Sequence, residues 1–401
     1  MTAPGPLQGI RIVDLTTVIM GPYATQILAD YGAEVIKVEP PVTGDPLRQW
    51  GNLEKDGHPV WFPVQSRGKK LVTLDLRKPE GQDLCLKLVE HVDVLLENFR
   101  PGTLEGWSLG PDRLHQVNPG LVIARVSGYG QSGPYAQRAG FASVGEAMGG
   151  LRYINGFPGQ APARAGISLG DSLAALHAVQ GIMMALYHRD AHGGKGQVVD
   201  ASILESCFAI LDNMVPEYSV FGYVREPAGT RIGYAVPSNV YRSRDGKWVV
   251  VAANNDNLWR RLCVAMGRED LLEDERYRTY MARTRMVEEI DAMIQEWVGE
   301  REAAEVDRVM NEIGIVAGPV YSIADIFEDP HYRQREMLVD ASDSLFGNFV
   351  MPGITPKLSD TPGETAQPGD WRLGADNEAV FRGMLGLAED EYRRLEEAGV
   401  I

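Results

Sequence analysis

Apolar positions along the first half of the chain fall into two alternating periods. Strand-length apolar runs occur at "IRIVDL" (10–15), "EVIKVE" (34–39), "LVTLDL" (71–76), "VDVLLEN" (92–98) and "LVIARVS" (121–127). Between them lie segments with helical spacing: "GPYATQILADYGA" (21–33), "KPEGQDLCLKLVEHV" with Pro79 near its start, and the shorter "PDRLHQV". Strands alternating with helices over short connections predict a parallel sheet covered by helices on both faces, a Rossmann-like architecture. A long apolar helix over 168–189, a strand "VVDAS" and a helix "ILESCFAILDNMV" follow. The pattern then changes. "NVYRSRDGKWVVVAAN" (239–254) reads as a hairpin turning at Arg244-Asp245-Gly246, with helices near 257–267, 284–299 and 301–313. The expected fold is therefore α/β. A large Rossmann-like domain spans 1–200, a linker 201–224, a smaller α+β domain 225–325, and a C-terminal segment over 326–401 returns to the large domain.

Charge narrows the partners. The formal net charge is −16, from 39 basic and 55 acidic side chains, and such a surface repels polyanions, which argues against nucleic acid. Cys85, Cys207 and Cys263 show no C-x-x-C spacing, which disfavours structural zinc and a disulfide scaffold and fits a reducing compartment. The start, "MTAPGPLQGIRIVDL", lacks a basic region followed by an apolar one, so no secretory signal is expected and the setting is read as cytoplasmic. "SLAALHAVQGIMMALYH" is interrupted by His177 and Gln180 and bounded by Asp171 and Arg189, so it is expected to be a buried helix and not a membrane span.

Candidate chemistry is sparse when each motif is taken alone. "VSGYGQSGPYAQRAG" (126–140) places Gly128, Gly130 and Gly133 in G-x-G-x-x-G spacing after a strand. A dinucleotide site requires a helix to start directly behind the glycines, because the pyrophosphate rests on those amides. "PYAQRAG" starts none, and the loop follows the fifth strand instead of the first, so a tight backbone turn is the better reading. No zinc-hydrolase histidine set, nucleophile elbow or P-loop is present. Asp171, in "ISLGDSLAALHA", stands where a loop gives way to a long helix. Two roles suit that position: an N-cap, or a carboxylate kept ionised by helix amides and usable as a nucleophile.

Taken together, "LQGIRIVDLTTVIMGPYATQILADYGAEVIKVEPPVTGDPLR", "KKLVTLDLRKPEG", "ENFRPG", "SGYGQSGPY" and "LGDSLAALHA" resemble, in this order and over nearly the whole chain, the class III CoA-transferases of the formyl-CoA transferase type. The resemblance implies a homodimer of interlocked rings and makes Asp171 the catalytic nucleophile. It implies transfer of CoA from an acyl-CoA donor to a carboxylic acid through aspartyl anhydride and aspartyl-CoA thioester intermediates. CoA thioesters enter as substrates, with no permanently bound cofactor and no metal. CoA contacts are implied for Ile19 and Met20, for Leu74 and Arg77, for Asn98, Phe99 and Arg100, and for Gly140 and Phe141. Pro40 and Gly106 stand where the family has side chains that touch CoA, and Arg48 is a candidate to act in their place. Arg164, seven residues before Asp171, is a candidate reader of the distal carboxylate of a dicarboxylic acid, with succinyl-CoA as an example of the donor. The α-methylacyl-CoA racemases share the fold, but use a His and an Asp where this chain has Phe141 and Ala142. Phenylalanine exchanges no proton, which disfavours that alternative.

Overall fold

The computed structural model describes residues 5–401. They form two compact units. The larger reaches to Arg152 and takes in Ala165–Pro216 and His331–Ile401; the smaller comprises Tyr153–Arg164 and Glu217–Pro330.

Six strands build the sheet of the large unit: β1 (Arg11–Asp14), β2 (Glu34–Glu39), β3 (Lys69–Thr73), β4 (Val94–Glu97), β5 (Val122–Ser127) and β6 (Val198–Ser202). Every neighbouring pair is parallel, and the spatial order is β3-β2-β1-β4-β5-β6. This is the doubly wound order, in which the chain reverses direction across the sheet between β1 and β4. Successive residues feed opposite cores. Ile12, Val35, Val94, Leu96 and Val122 point to one face; Val13, Ile36, Leu95 and Ile123 point to the other. Burial on both sides is why these strands read as continuous apolar runs instead of alternating ones.

Helix α1 (Met20–Asp30) and a long helix, Leu169–His192, cover the first face. Helix α2 (Pro79–Val89) and C-terminal residues including Phe381, Leu395 and Ile401 cover the second. The linker expected over 201–224 is not one: its first residues complete β6, which runs straight into helix Ile203–Phe208 of the same unit.

In the small unit, Ser238–Arg242, Trp248–Ala252 and Val316–Pro319 form a three-stranded antiparallel sheet. Its core joins Val249 and Val251 to Trp259, Ile290, Ile294, Val306 and Met310.

Candidate active site

In a doubly wound sheet, ligands bind beyond the carboxyl ends of the strands at the reversal point. Here the turn following β1, Thr16–Ile19, stands at that point and is anchored from several elements at once. Asn98, just past β4, accepts from the Thr17 N–H (2.9 Å) and donates to the Thr17 carbonyl (2.8 Å). Asp45 accepts from the Val18 N–H (3.0 Å), and Gln65 donates to the Ile19 carbonyl (2.8 Å). Lys37 donates to the Thr16 carbonyl (2.8 Å) and pairs with Asp45 at 2.8 Å. These bonds hold Val18 at φ 70°, a left-handed conformation that costs a β-branched residue on the order of 1–3 kcal/mol.

A buried charge cluster lies beneath the turn. Asp14, fully buried, accepts from Thr16 and Thr25 and pairs with Lys69 at 3.2 Å. Burial alone would raise its pKa, but Lys69 and Lys37 outweigh that and hold it down to about 2. Burial brings Lys69 down to about 8 against the opposing pull of Asp14.

The residues implied to touch CoA follow four strands on this one edge of the sheet. Ile19 and Met20 come after β1, Leu74 and Arg77 after β3, Asn98, Phe99 and Arg100 after β4, and Gly140 and Phe141 after β5. They do not all present side chains. Leu74 is 2% exposed and packs into the core, so a contact from it uses its main chain. Phe99 stacks edge-on against Trp107. Arg77 is exposed and paired with Asp75 at 2.8 Å, whereas Arg100 is an exposed cation. Arg48, the expected substitute for side chains at Pro40 and Gly106, is engaged within the protein by three of its five N–H donors. It holds Glu39 (2.7 and 2.8 Å) and the Trp371 carbonyl (2.7 Å), and lies over the Phe62 ring.

After β5 the glycines serve a close backbone approach. A Cβ on Gly128 would lie 2.9 Å from the Gly140 Cα, so the loop closes on itself there. Gly133 leads into no helix; α3 (Ala142–Met148) starts only after Phe141, which occupies its N-cap position. Gln137 touches the Pro101 carbonyl (3.4 Å), bringing this loop beside the one that carries Asn98. Phe141 is 70% exposed and Ala142 is buried; neither side chain carries an exchangeable proton, so neither supplies an acid or base for racemisation.

The long helix Leu169–His192, α4, starts against α3. Its N-cap is Ser168, so of the two roles the sequence left open for Asp171 the structure removes the N-cap: the residue lies three positions inside, in the first turn. Half-buried there, it is close to the positive end of the helix dipole. The residue before it, Gly170, permits contact with α3 and α5 (Ile203–Phe208): an added Cβ would meet Ile203 at 2.9 Å and Glu146 at 3.1 Å. Glu146, only 2% exposed, accepts from the Gly170 N–H at 3.0 Å. No motif in the sequence pointed to it. Burial, reinforced by Glu146 and Asp171, pushes the Cys207 thiol up to about 11, so both carboxylates act on the same small region.

A cavity of about 610 Å³ in the large unit is lined by Ile19 of the strained turn and by Ser172, the residue after Asp171. Arg164 is exposed and belongs to the smaller unit. Helix α4 is buried along one stripe, Gly170, Ala174, Ala178, Ile182 and Ala185. Its other face exposes Leu176, Met183, Met184 and Tyr187, so the expected buried helix is buried on one side only. By length and composition it could cross a membrane, but Asp171, His177 and Arg189 interrupt it. No group of three or more metal-binding side chains occurs among the described residues.

The chain is similar to known proteins over most of its length. The model of CoA-transferase family III matches residues 7–377. The succinyl-CoA–D-citramalate CoA-transferase of Chloroflexus aurantiacus is 46% identical over 401 residues, covering 99% of this chain and 98% of the relative. The succinyl-CoA:glutarate CoA-transferase of Mus musculus is 31% identical over 99% of this chain and 90% of its own. Among solved structures, a CAIB/BAIF family protein from Brucella suis superimposes with a TM-score of 0.83 and 30% identity, over 95% of this chain and 100% of that one.

Proposed function

The chain belongs to CoA-transferase family III and is an enzyme of the CoA-transferase type, and we propose that it moves CoA from succinyl-CoA to a dicarboxylic acid through covalent intermediates on Asp171. The observation that carries this reading is the position of Asp171. It lies in the first turn of α4, next in sequence to a residue lining the same cavity as Ile19.

In this reading the Asp171 carboxylate attacks the thioester carbonyl and expels the CoA thiolate, leaving a mixed anhydride. The thiolate then attacks the aspartyl carbonyl of that anhydride, releasing the donor's acid and forming an aspartyl-CoA thioester. The acceptor carboxylate attacks the thioester, giving a second anhydride and freeing the thiolate. Attack of the thiolate on the acceptor's acyl carbonyl produces the new acyl-CoA and restores Asp171. Each intermediate keeps one carboxyl activated, as an anhydride or as the aspartyl thioester, so no ATP is needed, provided water is excluded.

The edge formed by Ile19, Met20, Leu74, Asn98, Phe99, Gly140 and Phe141 is the proposed path of CoA, with Arg77 and Arg100 as phosphate partners. Relatives whose names carry succinyl-CoA, citramalate and glutarate support a dicarboxylate acceptor. Such an acceptor needs a cation for its distal carboxylate; Arg164, the one expected from sequence, belongs to the smaller unit, whereas Asp171 belongs to the larger. The exposed apolar face of α4, together with exposed Val215, Tyr218, Val220 and Phe221, supports a homodimer in which a second copy covers these groups. Three free, buried cysteines support a reducing, cytoplasmic setting.

Intact-mass spectrometry after mixing with succinyl-CoA tests the mechanism. A CoA adduct that maps to the Asp171 peptide, and that is missing in Asp171→Ala together with transfer, is expected. Transfer at the wild-type rate in the folded variant would sink the covalent route.

A further inference from the structure

Arg152 differs from the other partly or fully buried arginines of the large unit. Arg48, Arg67, Arg125, Arg189 and Arg382 each hold a carboxylate. Arg152 is half-buried and has no carboxylate partner among the described residues; its guanidinium makes only a long 3.5 Å contact with the Ser143 carbonyl. A guanidinium carries five N–H donors and no acceptor, and withdrawing it from water without an anion is unfavourable.

Its location suggests which anion it awaits. The Arg152 N–H bonds the Glu146 carbonyl at 3.0 Å, which ties the residue to the end of α3. Its side chain runs back along that helix to Ser143, one turn before Glu146. Glu146 in turn holds the amide of Gly170, beside Asp171. The cation and the nucleophile are thus tied to one helix, α3: Arg152 through Ser143, and Gly170, the neighbour of Asp171, through Glu146, one turn further on.

Building on the dicarboxylate reading above, we infer that Arg152 is a specificity-determining residue that binds the distal carboxylate of the acyl group joined to Asp171. Donor and acceptor occupy Asp171 in turn, so one cation serves both acids. The fork of the guanidinium suits a carboxylate, and a charge-assisted contact of this kind favours diacids over monoacids of equal length by about tenfold or more.

The test is a competition in one tube between succinate and butyrate with succinyl-CoA as donor, so that effects on the donor cancel in the acceptor ratio. Wild type should favour succinate, and Arg152→Gln should lower the succinate-to-butyrate ratio of kcat/KM about tenfold. Arg152→Lys, which keeps the charge but not the fork, should fall between them. Thermal melts establish that each variant is folded. Wild-type preference for butyrate would overturn the dicarboxylate reading itself. A wild-type preference for succinate that persists in folded Arg152→Gln, or an Arg152→Lys ratio below that of Arg152→Gln, would overturn the role of Arg152 alone.

Discussion

Asn98 offers a measurable link between fold and chemistry. Its amide makes two bonds to one residue, Thr17, at 2.9 and 2.8 Å, across a separation of 81 positions. Truncation by Asn98→Ala removes both and leaves the Thr17 N–H and carbonyl to find other partners. At a net 0.5–1.5 kcal/mol per bond, the expected loss of stability is about 1–3 kcal/mol. The turn should not collapse, because Asp45, Lys37 and Gln65 still hold its other peptide groups. With melting temperature falling by roughly 2–4 °C per kcal/mol in a domain of this size, the shift should lie between about 2 and 12 °C.

The functional effect follows from the same geometry. Val18 stays at φ 70° only while its neighbours are held. A loosened turn must be reordered when the donor binds, at roughly 0.5–1.5 kcal/mol, so KM for succinyl-CoA should rise about two- to tenfold. Asn98→Asp sharpens the comparison. It keeps an acceptor for the Thr17 N–H but sets an anion against the Thr17 carbonyl, so it should be no better than alanine. Differential scanning calorimetry and initial rates at varied succinyl-CoA measure both quantities. An Asn98→Ala protein with wild-type melting temperature and KM would refute the anchoring argument, and so would an Asn98→Asp protein that behaves as wild type.

Two further outcomes are expected. Glu146→Leu removes the acceptor of the Gly170 N–H and should lower kcat by roughly ten- to a hundredfold, corresponding to about 1.5–3 kcal/mol for a bond to a charged group, with little change in KM for succinyl-CoA. Glu146→Gln retains an acceptor and should recover most of that loss; equal damage from both substitutions would show that the hydrogen bond is not the cause. The second concerns acid. The pKa of Asp14 lies at about 2 in the folded chain against its ordinary 3.8. The resulting stabilisation, about 2 kcal/mol, is therefore complete above about pH 5 and is lost progressively as pH falls through about 2. Urea unfolding across that interval should show this slope in wild type and lack the Asp14 share of it in Asp14→Asn; identical slopes would remove Asp14 from the acid response.

The parts of this structure that were legible in the sequence are those set by local pattern. Strands buried on both faces appear as apolar runs, and the runs at 34–39 and 121–127 coincide with β2 and β5 to within a residue. The run at 71–76 does not. β3 begins two residues earlier, at Lys69, and ends at Thr73. A lysine ordinarily signals solvent, but this one is buried against Asp14, 55 positions away. The same blindness hides Lys37, Asp45 and the Asn98–Thr17 pair, whose partners are chosen by the fold and not by their neighbours in sequence. Residues 153–164, Arg164 among them, join the smaller unit; Gly156, Pro158, Gly159 and Pro162 mark them as loop, but no local pattern says which unit a loop joins.

Glu146 is a different case, because a signal was present. Along α3 the buried positions are Ala142, Gly145, Glu146 and Gly149, spaced i, i+3, i+4 and i+7. Three of the four are the smallest residues available, as a helix needs where another helix must approach closely. A single carboxylate on such a face has no solvent to satisfy it and must meet a donor on the approaching element. The first free amides of a helix start are suitable donors, and "LGDS" supplies such a start. A lone acid on a small-residue stripe, in a chain that also carries a helix beginning at its catalytic candidate, therefore points to the contact that Glu146 makes with Gly170.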